Sequence, residues 1–139
     1  MALEEKHMDL FTVGNDYHIA HCIASDLRMG AGIAVPMQRK FHLRGKIESS
    51  GDNLDAPTCV LTGRVFNLIT KKRSTGKPTY LSLRAALEKM KELVVSHGVK
   101  KIAMPKIGCG LDRLQWGKVR EMLHDLFSDV DVEILVVFI

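Results

Sequence analysis

Two short segments concentrate the residue types able to hold or act on a ligand: Arg28-Met29-Gly30-Ala31-Gly32-Ile33-Ala34 and Lys106-Ile107-Gly108-Cys109-Gly110-Leu111-Asp112. Each sets two glycines among small or apolar residues and leads toward a helical stretch. Glycine lets a backbone approach a ligand closely, and a helix that begins directly afterwards turns free N–H groups toward an anion. Glycines also make tight turns, so spacing alone leaves cradle and turn both open. Neither segment matches Gly-x-Gly-x-x-Gly, and Gly-x-x-x-x-Gly-Lys-[Ser/Thr] is absent, so the dinucleotide-fold and P-loop fingerprints are missing.

Other reactive residues fall between or inside these segments. On residue type alone, Lys71 belongs to the solvated basic run Lys71-Lys72-Arg73, and Asp112 caps the helix that follows it. Cys109 lies between glycines near a helix start, where a thiolate is stabilised, but no second cysteine or partner histidine is in local range. His18 and His21 sit near Cys22; on a strand, positions three apart face opposite ways, which makes them structural. The cysteines Cys22, Cys59 and Cys109 form no Cys-x-x-Cys pair, so zinc ligation is not expected. An odd number of thiols, with no signal-peptide pattern and no bilayer-length apolar run, leads to the expectation of free cysteines in a reducing nuclear and cytoplasmic setting.

The elements that must position these residues follow from periodicity. Residues 18–23 read as a short buried strand that ends at Ser25-Asp26, and a helix is expected from the first glycine segment through Lys40. Residues 45–57, with Gly51, Asp52, Asn53, Asp55 and Pro57, read as a surface loop. Apolar runs at 58–61 and 65–70 flank Thr62-Gly63-Arg64 as a hairpin. Pro78-Thr79 opens the clearest helix, in which Leu83, Leu87, Met90 and Val94 share a face, and Gly98 closes it. A strand at 102–104, a helix over about 115–127 with Trp116, Val119 and Leu123 inward, and a nearly continuous apolar strand at 132–139 complete the chain. Such a strand is buried on both faces, and alternating helices and strands predict a mixed central sheet covered on both sides.

At 139 residues, 46% apolar and 26% charged, the sequence fits one globular domain over residues 1–139, without repeats or low complexity. The net charge of +4 suits an anionic partner, but no aromatic residues interleave with the basic ones, so nucleic-acid contact is expected to be weak.

Five strings, in order, are similar to those of the terminal ADP-ribose protein glycohydrolases, a macrodomain family. They are Ala20-His21-Cys22-Ile23, the first glycine segment, Leu68-Ile69-Thr70-Lys71-Lys72-Arg73, Lys77-Pro78-Thr79-Tyr80, and Pro105 through Trp116, which includes Gly-Cys-Gly-Leu-Asp-Arg-Leu-Gln-Trp. The resemblance implies a three-layer α/β/α macrodomain, a monomer without cofactor, metal or membrane association. ADP-ribose and mono-ADP-ribosylated proteins are the implied partners. It further implies hydrolysis of the bond to glutamate or aspartate side chains, with O-acetyl-ADP-ribose as an additional substrate. Lys71 takes the nucleophile role and Asp112 the acid/base role by motif match.

The same resemblance puts adenine near Asp9, Leu10 and Phe11. Diphosphate and distal ribose fall between Gly30, Ala31, Gly32 and Ile33 on one side and Lys106, Ile107, Gly108, Cys109, Gly110 and Leu111 on the other. Ala24 stands where relatives tend to carry a hydroxyl, and the terminal residue, here Ile139, lies beside the ligand in relatives. The segment Glu4-Glu5-Lys6-His7-Met8-Asp9 lacks the apolar strand and the glycine that relatives carry there, which leaves the first strand unread. A non-catalytic ADP-ribose reader is the competing class; macrodomains that only bind lack the lysine and aspartate pair.

Overall fold

A computed structural model describes residues 1–139. Its centre is a six-stranded sheet ordered β1-β6-β5-β2-β4-β3. The strands are β1 (Ala2–His7), β2 (His18–Ala24), β3 (Thr58–Thr62), β4 (Val65–Lys71), β5 (Lys101–Met104) and β6 (Glu133–Phe138). All neighbours run parallel except β3, which returns antiparallel to β4 with Thr62 opposite Val65. The hairpin expected around Gly63 forms, as does the mixed sheet.

Helices α1 (Ala34–Phe41) and α2 (Leu43–Ser49) cover one face, while α3 (Tyr80–His97) and α4 (Trp116–Phe127) cover the other. Because β4 lies between these layers, it is buried over all but its last residue and tolerates apolar side chains on both faces. Residues 83, 87, 90 and 94 of α3 are buried as their spacing predicts, and removing one such side chain costs about 2–5 kcal/mol. Thr79 and Ser82 cap α3 reciprocally, and Gly98 ends it at φ 62°.

The structure settles one segment that the sequence leaves unread and corrects one expectation. The N-terminal segment is a strand despite its charges: β1 pairs with β6 along all six residues, so its ladder comes from a parallel neighbour rather than from apolar alternation. Charged residues suit an exposed edge. Glu5 points toward α4, where Arg120 Nε and Nη2 donate to it at 2.7 and 3.1 Å and Trp116 Nε1 at 2.9 Å. The Arg120 bonds hold the Glu5 carboxyl below its ordinary pKa. The correction is at residues 45–49, which belong to α2 and not to a loop. Only Leu43 and Ile47 of that helix are buried, one turn apart, and two apolar residues leave no readable period.

One polar cluster crosses the interior of the sheet. His21 and Asn67 are fully buried on adjacent strands, with His21 Nε2 donating to Asn67 Oδ1 at 2.7 Å while Asn67 Nδ2 donates to Val60 O and Thr62 Oγ1. His21 Nδ1 has no partner, so the ring sits as the neutral Nε2–H tautomer, and burial pushes its pKa down to about 4. The unfolded chain therefore binds one more proton than the folded one between about pH 6.5 and 4. Stability from this residue is complete above pH 6.5 and falls as the pH drops through that window, at about 1.4 kcal/mol per unit. Urea titrations of the wild type and His21→Leu across this window should show the shallower pH dependence in the variant. Equal slopes would mean that His21 titrates as an exposed residue.

Candidate active site

In a parallel sheet, loops leaving the carboxyl ends of neighbouring strands form a crevice, and β5, β2 and β4 are three such neighbours. The loops after β2, β4 and β5 enclose a cavity of about 570 Å³. The first glycine loop contributes Gly30, Ala31, Gly32 and Ile33, and β2 contributes Ala24. The second loop contributes Lys106, Ile107, Gly108, Gly110, Leu111 and Asp112. Lys71 reaches the cavity from the end of β4.

A register slip puts Lys71 there. Along the β2–β4 ladder Ile23 stands opposite Ile69, but Ala24 stands opposite Lys71, which leaves Thr70 unmatched. Bulges of this kind re-aim a side chain at the rim of a sheet. Lys71 Nζ lies 2.8 Å from Asp112 Oδ1, and the two side chains are only 16% and 15% exposed. The sequence places them 41 residues apart; the structure brings them into one ion pair.

The loops are held mostly by bonds from side chains to backbone. Asp26 accepts from Arg28 N, Ser74 N and Ser74 Oγ at 3.1, 2.8 and 2.7 Å, joining the loop after β2 to the loop after β4. Partial burial pushes the Asp26 pKa up, but the Ser74 and Arg28 bonds outweigh it and the net shift is downward. Arg44 on α2 donates to Leu27 O and Arg28 O, and Lys77 Nζ donates to Leu111 O at 2.7 Å, bracing the peptide next to Asp112. Leu27, Met29 and Arg113 all adopt positive φ, a strained state for such residues that persists where surroundings over-determine it. For Leu27 and Met29 the surroundings are the core under α1, in which both are buried.

Helix α1 starts without a side-chain cap, and its first residue, Ala34, lines the cavity. Within its first turn Val35 N donates to Gly32 O, Met37 N donates to Ile33 O and Pro36 has no N–H, which leaves the Ala34 N–H as the free donor at the helix start.

Five sequence-derived ligand residues lie outside the cavity lining, among them Phe11, which packs against the core under α1. Asp9 caps a short 3-10 turn (Leu10–Thr12) through Phe11 N, and Leu10 is buried in the core under α1. Cys109 Sγ donates to Ile107 O at 3.3 Å, and burial raises its pKa, as it raises Cys22 to about 12. Neither thiol is poised as a nucleophile. Ile139 is exposed beyond Phe138, whose ring lies 4.5 Å from Lys106 Nζ, so the chain end adjoins the cavity without lining it. Ser74 and Lys77 line the cavity and were missed; Lys77 lay in the quoted Lys-Pro-Thr-Tyr string, while Ser74 carried no signal.

A layered α/β/α protein whose parallel strands open onto a glycine-walled cavity, with an uncapped helix start on one side, is built to bind an anionic ligand. The chain belongs to the macrodomain family: the Macro domain model matches residues 47–123. It is similar to ADP-ribose glycohydrolase OARD1 of Homo sapiens, 44% identical over 133 residues that cover 92% of this chain and 86% of that one. The Bos taurus protein of the same name is 43% identical over the same shares. Among solved structures, the macrodomain of Thermus aquaticus DarG superposes with a TM-score of 0.82 at 19% identity, covering 99% of this chain and 98% of that one, and so supports the fold.

The two glycines of the second loop differ in what surrounds them. A Cβ on Gly108, at φ 74°, would meet Leu114 Cδ1 at 3.0 Å and Leu83 Cδ2 at 3.3 Å; one on Gly110 would meet nothing within 4 Å. Gly108→Ala should cost about 1–3 kcal/mol by urea unfolding and Gly110→Ala under about 0.5 kcal/mol. The reverse order would contradict this loop geometry.

Proposed function

We propose that this chain is an ADP-ribose glycohydrolase that releases ADP-ribose from glutamate and aspartate side chains of modified proteins, and also deacylates O-acetyl-ADP-ribose, in the nucleus and cytoplasm. The observation that carries this reading is the Lys71–Asp112 pair, 2.8 Å apart and largely withdrawn from solvent, on the wall of a cavity whose other walls are glycine loops. The glycohydrolases to which the chain is similar support the same activity.

On this reading the diphosphate lies against the glycine-loop backbone and the Ala34 N–H at the start of α1, and the distal ribose reaches the pair. Asp112 takes a proton from the Lys71 ammonium, and the freed amine adds to the anomeric carbon. The bond from that carbon to the substrate carboxylate breaks, the carboxylate leaves with the electron pair and takes up that proton from Asp112, and Asp112 then removes a second proton from the nitrogen. Asp112 returns the proton to the ring oxygen as the ribose opens to a Schiff base. Water then adds, freeing ADP-ribose and the amine. Splitting the displacement in two spares water a direct attack on the glycosidic carbon.

Lys71→Ala should lose turnover of a glutamate-modified protein yet bind ADP-ribose, because the diphosphate contacts do not involve the amine. Asp112→Ala should slow turnover by roughly 10²- to 10⁴-fold, and the double variant should be little worse than the worse single one. Lys100→Ala, remote from the cavity, controls for charge. Turnover by Lys71→Ala at the wild-type rate would replace this mechanism with another catalytic group, and a wild type that binds ADP-ribose without turning the substrate over would be a reader. In a separate thermal-shift assay, ADP-ribose should stabilise the wild type and not Gly110→Val, whose side chain enters the cavity. An equal shift in both proteins would remove the second loop from the ligand site.

A further inference from the structure

Lys71 and Lys77 line two cavities. The second, about 480 Å³ and more open, lies beyond them against the start of α3 and is bordered by Thr70, Lys72, Arg73, Thr79 and Ser82. Its wall holds four cations and no acidic residue. Asp112 pairs with Lys71, and no carboxylate lies within ion-pair distance of Lys72, Arg73 or Lys77. Such an uncompensated cluster favours an anion.

A second observation points to a ligand there. Thr70, the residue left unmatched by the β2–β4 slip, is 2% exposed, and its Oγ1 has no hydrogen-bond partner. It lies two residues beyond Leu68 on β4, so its side chain faces the α3 layer with Leu68 and Phe66, and it lines the second cavity. A buried hydroxyl left without a partner costs about 1–3 kcal/mol, a cost that a bound acceptor removes. The hydroxyls of Thr79 and Ser82 are already engaged in the α3 cap, which leaves Thr70 as the free donor.

We infer that this second cavity binds acidic side chains of the substrate protein next to its modified residue, so that the enzyme prefers ADP-ribosylated glutamates with acidic neighbours. The inference rests on the glycohydrolase reading: if the anomeric carbon is at Lys71, the polypeptide attached to it continues past Lys71, where this cavity begins. No aromatic side chain lines it, so it offers no platform for a nucleobase, and carboxylates match its cations and hydroxyl better than a nucleic acid does.

The test compares kcat/KM for three substrates: a modified glutamate in an acidic peptide, the same residue in a peptide with serine neighbours, and O-acetyl-ADP-ribose, which has no peptide. The wild type should favour the acidic peptide by roughly three- to tenfold, as expected for a few partly exposed ion pairs. Lys72→Gln/Arg73→Gln should abolish that preference and leave O-acetyl-ADP-ribose turnover unchanged, and Thr70→Val should reduce the preference in a folded protein. A parallel NMR titration with an unmodified glutamate-rich hexapeptide should move the amides of residues 70–73 and 79–82, and its serine counterpart should not. That titration tests the cavity even where no substrate is turned over, an outcome that would sink the glycohydrolase reading alone. The inference is overturned if the titration moves nothing, if the double variant slows all three substrates equally, or if a modified oligonucleotide is preferred to the acidic peptide.

Discussion

The parallel pairing of β2 with β4, and its slip by one residue at the end, is the constraint from which the site follows. The pairing is secured where both strands are buried on two faces, and His21 and Asn67 bond across it in the interior. A strand fixed that firmly cannot shift to suit its last residues, so the slip confines its effect to Thr70 and Lys71. One is left with an unpartnered hydroxyl beneath α3. The other turns into the crevice opposite Ala24, where Asp112 meets it.

Rigidity around that pair comes mostly from side chains that bond to backbone. Asp26 ties the loops after β2 and β4 together, Arg44 holds two carbonyls of the first loop, and Lys77 holds the carbonyl before Asp112. Backbone groups in loops need partners when partly buried, and supplying them from charged side chains fixes the loop and satisfies the carbonyl at once. The positive φ of Met29 fits the same pattern, because its buried side chain anchors a loop whose glycines stay open toward the cavity.

What was legible in the sequence was whatever depends on local pattern. The long period of α3, the hairpin at Gly63 and the terminal strand β6 each bury several residues in a regular order. Both glycine loops were legible as well, and Lys71 and Asp112 through the motifs around them. What escaped depends on partners distant in sequence. The charged strand β1 exists because β6 offers a ladder and Arg120, 115 residues away, takes Glu5. Leu10 is apolar because it packs in the core, a use that residue type cannot separate from ligand contact. Ser74 faces the cavity through its bond to Asp26, 48 residues earlier, and nothing near it in the chain announces that.

The Lys71–Asp112 pair also sets a tension between stability and use. Withdrawing two charges from water costs several kcal/mol, which their attraction offsets only when geometry is good, so an apolar pair of similar volume would hold the loops at least as well. A charged pair on a cavity wall is therefore weak evidence of scaffolding. Its setting points the same way. Lys77 already clamps the loop through Leu111 O, and Asp26 already joins the neighbouring loops, so their closure does not need a second ionic tie at Asp112. Lys71 stands where the two cavities meet, with cations and an idle hydroxyl on one side and, on the other, Asp112 and glycine backbone. A scaffold has no reason to leave a lysine bordering two cavities, whereas chemistry on a bond that joins two differently shaped halves of a substrate requires it.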